Sequence, residues 1–494
     1  MDADTSPWPS LRGSILAVTA GLAILGASGF VEAHAFLVPT TLKYTLTVAG
    51  PLILFMAASI RRPLHLITTL VILAAPFANA TAQFAGIRIS PLVPLLLLGF
   101  ALIAVSDPLR GGRRPSMRWS GLLAFPLLLL PLADGSENHQ FIRSLALLIG
   151  VAWLVSYAAA DEEGLRVVLV AVTIQAAVQG AIAIWEWRTG HTLNLYSLAG
   201  GNQPLAVEYM YGSASRPDGS LNDPISLGNA MAITVPLISI LILTVRSGAM
   251  RLLVVAALVL SGVALVLSLD RAGWIGATVG LAAAIALLPR GFRRRAIPYA
   301  TVGIVVVVVA TVALEGSAVS SRFLSIFDPT STQGKTAQET GSAVGEQIRL
   351  QLWSVALNDG FLRHPVTGIG IDNMGQLERE HTTSSGAGVK AGTAIFQNAS
   401  STYFQLIGEG GLFALALLLL LLTALLADVR VAVNAHPVIG AALAGAVVAV
   451  LICWTTDIVV TYEPVAACVG VLFGAVAGAA RSDASVGSAS DLAI

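Results

Sequence analysis

The chain has 494 residues, of which 55% are hydrophobic and 11% charged, with 28 basic and 28 acidic residues and no net charge. A water-soluble domain carries about 25% charged residues. So low a share excludes a soluble enzyme, a disordered protein and a nucleic-acid-binding protein. What remains is a polytopic membrane protein, in agreement with the mean hydropathy of +0.80.

Apolar stretches long enough to cross a bilayer recur along the chain. A spanning helix needs roughly 20 mostly apolar residues. The candidate spans fall near 12–30, 42–60, 64–80, 89–105, 119–133, 141–160, 165–187, 224–245, 251–269, 271–289, 296–314, 401–427, 437–456 and 463–480. We therefore predict an all-α fold, a polytopic transmembrane helical bundle of about 12–14 spans.

Basic residues predict the orientation of the bundle. Sixteen of the 28 basic residues lie in alternate loops, with clusters at 110–118 and 290–295, and short loops on the other side carry at most one each. Short basic loops stay in the cytoplasm. Both termini are therefore predicted to be cytoplasmic in a bacterial inner membrane, with two long loops outside.

The predicted spans and loops divide the chain into five segments. They are N-terminal transmembrane helices (1–187), an extracytoplasmic loop (188–223), central transmembrane helices (224–314), a large extracytoplasmic loop (315–400), and C-terminal transmembrane helices with a short cytoplasmic tail (401–494). In the large loop, apolar residues recur with helical spacing from Ile348 to Leu357 and predict an amphipathic helix on the outer face. The helix is predicted to end before His364, because Pro365 stops its continuation.

Two further pairs of residues lead to predictions about their surroundings. Cys453 and Cys468 both lie in apolar runs and are predicted to be small buried side chains. Asp457 and Glu463 flank the last outer turn, where we expect ordinary residues at headgroup level.

Arginines recur where the predicted outer loops meet the membrane. Arg271 begins a span, Arg216 precedes another, and Arg349 and Arg363 lie on and after the amphipathic helix. Guanidinium groups bind phosphate oxygens bidentately and stay charged, so this placement predicts a site for a phosphorylated lipid.

Each arginine can also be read as an ordinary charged residue near the membrane surface. Arg363 is then a solvated rim charge, and Arg271 snorkels to the headgroups or pairs with Asp270. The remaining two would form surface ion pairs, Arg349 with Glu346 and Arg216 with Asp218.

Several of these segments resemble the O-antigen ligase and O-antigen polymerase superfamily. Arg349–Trp353, followed by Arg363–Gly370 and Asn373, is similar to the family's signature in the large loop. Ser401–Leu412 resembles the re-entry into the membrane. The segments 216–224 and 270–273 resemble two further elements, and the resemblance covers about residues 150–480.

The resemblance implies an integral membrane glycosyltransferase on the outer face of the cytoplasmic membrane. Its donor would be a glycan on undecaprenyl pyrophosphate, and its acceptor a lipid, a growing polysaccharide or a protein. Transfer would be inverting. We expect no cofactor and no metal, because the one Asp-x-Asp pair, Asp2-Ala3-Asp4, lies on the cytoplasmic tail. Membrane lipids are the other expected partners, and we expect no binding to nucleic acid.

The resemblance also implies site residues. Arg271, Arg349, Arg216 and Arg363 would bind the substrate together with two further residues, Asp223 and Tyr403.

The expected catalytic base departs from the family's pattern. Many members carry a histidine-asparagine pair before the re-entering helix, where this chain has Ser400 and Ser401. Serine cannot take up a proton near neutral pH, so the predicted substitutes are Glu409, His364, His381 and Asp223.

The sequence is also compatible with two further functions. One is a small-anion, bicarbonate-like membrane transporter, which should show charged residues or broken helices near the middle of the bilayer. The second is an inactive or scaffolding relative, because the usual histidine is missing.

Overall fold

We analysed a computed structural model of the chain. It describes residues 63–78, 82–84, 87–106, 140–191, 210–211, 214–221, 223–298, 301, 349–371, 373–375, 377, 399, 401–457 and 462–481. The spans predicted near 12–30, 42–60 and 119–133, most of the span near 296–314, and His381 lie outside these residues.

Helices make up most of the described chain. They are α1 (Pro63–Ala74), α2 (Leu92–Ser106), α3 (Gln140–Ala158), α4 (Glu162–Thr189), α5 (Pro224–Leu241), α6 (Gly248–Leu267), α7 (Arg271–Leu287), α8 (Thr402–Ala435), α9 (Pro437–Cys453) and α10 (Glu463–Ala479). A 3-10 turn follows α1 at Ala75–Phe77, and a π-helix covers Ala356–Phe361.

Strands occur in the described chain as two short antiparallel hairpins. One pairs β1 (Ala82–Phe84) with β2 (Ile87–Ile89), and the other pairs β3 (Met210–Tyr211) with β4 (Ala214–Ser215).

The helices confirm the all-α polytopic prediction. By length and composition, α4, α5, α6 and α8 can each cross a membrane, and the other described helices are shorter but apolar. The predicted spans coincide with helices to within a few residues in most cases. One exception is α8, which continues to Ala435 beyond the predicted end of its span.

The chain divides into two compact units, residues 1–71 with 94–113, and residues 72–93 with 114–494. The described part of the first unit consists of apolar helical segments, 63–71 and 94–106. All the features discussed below belong to the second unit.

Local signals in the sequence explain where the long helices start and end. Asp161 caps α4 by accepting a hydrogen bond from the backbone N–H of Gly164, 2.7 Å away. Gly190 ends the same helix in the left-handed conformation, at φ 70°. Helices α5 and α9 both begin with proline, whose missing N–H costs nothing in a first turn.

Small residues bring the helices of the core close together. Helix α10 carries glycine at every fourth position, 470, 474 and 478, facing α3. A Cβ atom at Gly474 would lie 2.5 Å from the carbonyl oxygen of Ala152, so the two backbones touch. This is the small-residue packing typical of membrane helices, where close backbone contact replaces the hydrophobic effect. The cysteine prediction is confirmed, since Cys453 and Cys468 are both buried and free.

Replacing Gly474 with leucine should separate α10 from α3. Overpacking a tight contact costs about 1–3 kcal/mol or more, so we expect a lower melting temperature and less folded protein in membranes. Ala416→Leu is the matched control, because Ala416 is exposed on α8 and the added side chain meets no protein there. Equal melting temperatures for the two variants would contradict the packing.

Candidate functional site

The N-termini of α5 and α7 meet at one end of the bundle, and each is capped by an aspartate. Asp223 accepts a hydrogen bond from the backbone N–H of Ser226, 2.9 Å away. Asp270 accepts from the N–H groups of Ala272 (3.1 Å) and Gly273 (3.0 Å). A Cβ at Gly228 would clash with the Asp270 side chain, so only glycine lets the two helix starts approach this closely.

A sharp turn between α6 and α7 brings an arginine to this point. Leu269 adopts a left-handed conformation, φ 53°, which is strained for a residue with a branched side chain. The turn leaves the carbonyl of Ser268 facing Arg216, whose Nε donates to it at 2.9 Å. Arg216 therefore bonds to the turn that carries Asp270.

A third aspartate joins the group from the turn after α9. Asp457 is 5% exposed, and its Oδ2 accepts from Nδ2 of Asn229 on α5 at 3.2 Å. Its Oδ1 lies 3.8 Å from Nη2 of Arg349. The prediction of ordinary headgroup-level residues was wrong for both acids at this turn. Asp457 is buried by these neighbours, and Glu463 is 8% exposed and pairs with Arg143 at 3.8 Å.

We call Asp223, Asp270 and Asp457 the carboxylate cluster. Burial raises the pKa of Asp270 to about 6, against the opposing effect of the positive charges of Arg216 and Arg349. Burial also raises the pKa of Asp457 well above its usual range, and the charge of Asp270 adds to the increase. Burial likewise raises the pKa of Asp223, while the Ser226 hydrogen bonds and Arg216 oppose it. The three acids thus interact with one another, and Asp270 interacts with both arginines.

The helix that carries Arg349 matches the amphipathic helix expected in the large loop. Residues 349–355 are α-helical and continue into the π-helix, which ends before His364. Trp353 stacks on Phe404 of α8, with ring centroids 4.8 Å apart and planes 14° from parallel. This contact fixes the helix against α8 and so places Arg349 beside Asp457.

The chain after the π-helix docks into a break in α8. Helix α8 is interrupted at Gly411, with φ 59° and ψ −151°, a conformation open almost only to glycine. The N–H groups of Leu412 and Phe413 donate instead to the carbonyls of Pro365 (2.8 Å) and Val366 (3.2 Å).

The carbonyls on the other side of the break are bonded as well. Those of Gly408 and Glu409 accept from the N–H groups of Ile369 (3.1 Å) and Gly370 (3.0 Å). Residues 365–370 therefore replace the backbone bonds that the helix loses.

Glu409 lies next to this break and is 1% exposed. Its Oε1 accepts from the backbone N–H of Met374 at 3.1 Å and from Nε2 of Gln405. The carboxylate thus joins α8 to the chain that follows residues 365–370.

The remaining predicted site residues lie apart from the cluster or at its edge. Arg363 pairs with Asp359 at 2.7 Å with its side chain 69% exposed, and His364 is exposed in the following turn. Tyr403 donates through its hydroxyl to the carbonyl of Leu451 on α9, at 3.1 Å. Arg271 is the first residue of α7 and is partly buried.

The structure therefore brings together three of the predicted residues, Arg216, Asp223 and Arg349. It adds Asp270, Asp457 and Asn229, which the sequence reasoning missed as site residues. Asp270 had a usable signal, since an aspartate directly before an apolar run is typical of a helix cap. Within the described residues, no group of three or more His, Cys, Asp and Glu side chains has the arrangement of a metal site.

The apolar helices define a polytopic helical membrane protein, and its described arginines and carboxylates include a group gathered at one end of the bundle. The model of the O-antigen ligase family matches residues 256–419, about a third of the chain. Over these residues the chain is similar to the O-antigen ligase family, which supports a ligase- or polymerase-type membrane glycosyltransferase. No curated protein matches the chain significantly. The matched segment contains Arg271, Arg349 and Glu409, whereas Arg216, Asp223 and Asp457 lie outside it.

Alanine in place of Gly411 should release residues 365–370 from α8. The added Cβ would lie 2.7 Å from the carbonyl oxygen of Pro365, and the positive φ is unfavourable for alanine. We expect a loss of about 1–3 kcal/mol in local stability, seen as faster hydrogen exchange of the 364–370 peptide. Gly248→Ala is the control, because Gly248 has open space around its Cβ position. Exchange as slow as in the control would contradict the docking.

Proposed function

We propose that the protein transfers a glycan from undecaprenyl pyrophosphate to an acceptor at the outer face of the bacterial cytoplasmic membrane. The observation that supports this most directly is that Arg216 and Arg349, from distant parts of the chain, both reach the carboxylate cluster: Arg216 donates to the Ser268 carbonyl in the turn that carries Asp270, and Arg349 lies 3.8 Å from Asp457. They do so where the N-termini of α5 and α7 meet. Arginines and helix N-termini both stabilise phosphate oxygens.

The proposed reaction needs little from the protein beyond charge and a base. The acceptor hydroxyl oxygen attacks the anomeric carbon as the bond to the pyrophosphate oxygen breaks, so the sugar configuration inverts. The hydroxyl proton passes to the base, and undecaprenyl pyrophosphate leaves with the electron pair of the broken bond. Arg216, Arg349 and Arg271 would stabilise the charge that develops on this leaving group, without a metal.

We propose Asp457 as the base. Ser401, one of the two residues at the family's histidine-asparagine positions, caps α8, and its hydroxyl donates to the carbonyl of Trp454 at 3.3 Å. Thr402 bonds to the carbonyl of Asp457 through both its N–H (3.1 Å) and its hydroxyl (2.9 Å). The Asp457 turn thus lies against the helix start where many family members place their histidine. Its raised pKa suits proton uptake better than that of an ordinary carboxylate.

Glu409 and His364, two of the described residues predicted as bases, have different surroundings. Glu409 accepts from Met374 and Gln405 and lies at the break in α8, which favours a role in holding residues 365–374. His364 is exposed in the turn beside Arg363, where it would meet the acceptor rather than the pyrophosphate. Of these residues, only Asp457 forms an ion pair with Arg349.

The transporter hypothesis predicts broken helices, and α8 is broken at Gly411. A broken helix binds an ion through the backbone groups that the break exposes. Here the N–H groups of 412 and 413 and the carbonyls of 408 and 409 are bonded to residues 365–370. This occupation favours the glycosyltransferase over the small-anion transporter.

Removing the Arg349 guanidinium should weaken binding of undecaprenyl pyrophosphate. Hydrogen bonds to charged groups contribute about 1.5–3 kcal/mol each, so we expect Arg349→Ala to lower the affinity by about 10- to 100-fold, with Arg349→Lys in between. Binding can be measured on the full-length protein in lipid nanodiscs. Arg251→Ala is the control, since Arg251 is exposed near the start of α6. Unchanged binding in Arg349→Ala would rule out this donor site.

The rate of transfer should depend on an ionised Asp457. We expect Asp457→Asn to slow transfer by about 100-fold or more, measured in membranes of the native host as consumption of its lipid-linked glycan. In the native protein the rate should rise with pH through the raised pKa of Asp457, because the base must have lost its proton.

A second variant makes this pH dependence specific. The negative charge of Asp270 raises the pKa of Asp457, so Asp270→Asn should move the rise in rate to lower pH. Asparagine caps a helix about as well as aspartate, which keeps α7 intact. A rate profile that does not move in Asp270→Asn would argue against Asp457 as the base.

A further inference from the structure

A buried carboxylate on α4 binds the backbone of the segment that carries Arg216. Glu186 is 1% exposed, and its Oε2 accepts from the N–H groups of Asp218 (3.1 Å) and Gly219 (2.7 Å). The positive φ of Gly219, 61°, turns the chain so that both N–H groups point to one acceptor.

Gln179, two turns earlier on the same face of α4, binds the next residue. Its Oε1 accepts from the N–H (3.1 Å) and the hydroxyl (3.0 Å) of Ser220, and its Nε2 lies 2.8 Å from the same hydroxyl. Three successive backbone N–H groups, those of residues 218–220, therefore donate to side chains of one helix.

This attachment fixes one side of the Arg216 segment, and the turn at Ser268 fixes the other. Arg216 lies two residues before Asp218, and its Nε donates to the carbonyl of Ser268 beside Asp270. We infer that Glu186 is a positioning residue that holds segment 216–220 so that Arg216 faces the donor pyrophosphate, an inference that rests on the proposed function. Stability alone would not require a carboxylate here, because apolar packing usually stabilises an interior at least as well.

The Asp218 side chain makes the attachment depend on pH. Burial raises the pKa of its carboxyl to about 6 against the side-chain hydrogen bond to Glu186, which lowers this pKa, and the charge of Asp223 adds to the increase. Burying the ionised carboxyl costs more than burying the protonated one, so the attachment is strongest below the ordinary carboxyl pKa and weakens as the pH rises to about 6.

The test combines hydrogen exchange of the 216–221 peptide with binding of undecaprenyl pyrophosphate, both on the full-length protein in nanodiscs. We expect Glu186→Ala to speed exchange and to weaken binding, each by about tenfold or more. Glu186→Gln, which keeps an acceptor oxygen and the shape, should lie between Glu186→Ala and the native protein. Gln175→Leu is the control, since Gln175 is buried on α4 but bonds to Cys468 and not to the segment.

Asp218→Asn tests whether the Asp218 carboxyl causes the pH dependence of the attachment. The amide cannot lose a proton, so protection of the peptide should be the same at pH 4 and pH 7, after correction for intrinsic exchange. The native protein should lose protection over this range.

The outcomes separate this inference from the proposed function. Normal exchange, or normal binding despite fast exchange, in both Glu186 variants would overturn the positioning role. If the native protein binds no undecaprenyl pyrophosphate, the proposed donor is wrong. Fast exchange in Glu186→Ala would in that case show that Glu186 anchors segment 216–220 but has no role in donor binding.

Discussion

The site depends on burying carboxylates next to arginines at the ends of membrane helices. An isolated charge inside a protein costs several kcal/mol or more, so each charged group needs partners. Asp223 and Asp270 obtain them from the backbone N–H groups of the helices that they cap, and Asp457 from Asn229 and Arg349. The same arrangement aligns the positive ends of α5 and α7 with two guanidinium groups. An anion arriving there meets donors that are already oriented.

Arg349 reaches this place because the chain that follows it is attached to α8 at two levels. Trp353 stacks on Phe404 near the start of α8, and residues 365–370 fill the break at Gly411 farther along. Between these two contacts lies the π-helix, a form that is frequent near functional sites. The break in α8 thus serves to hold the arginine-bearing helix.

The sequence predicted the helices well because each span is a continuous apolar run, and its caps are visible as aspartate, proline or glycine. It also predicted Arg216 and Arg349, because arginines recur where the predicted outer loops meet the membrane and guanidinium groups bind phosphate. It missed Asp457 as a site residue and gave Asn229 and Glu186 no role. A single polar residue within or beside an apolar run does not reveal what packs against it. The partners of Asp457 come from α5 and from the helix that carries Arg349. Arg363 is the opposite case, a residue that was predicted at the site but lies elsewhere. It matches the family signature, yet its side chain is exposed and pairs with Asp359.

The balance of charge has a consequence for the proposed reaction. Arg216, Arg271 and Arg349 are matched in number by Asp223, Asp270 and Asp457, so the site has little excess positive charge when every group is ionised. The raised pKa values of Asp223 and Asp270 favour their protonated forms, which do not repel phosphate. A bound pyrophosphate adds negative charge and raises the pKa of the nearby acids further. In the proposed reaction, donor binding would therefore make the ionised Asp457 a stronger base and move its ionisation to higher pH, which couples donor binding to removal of the acceptor proton through charge alone.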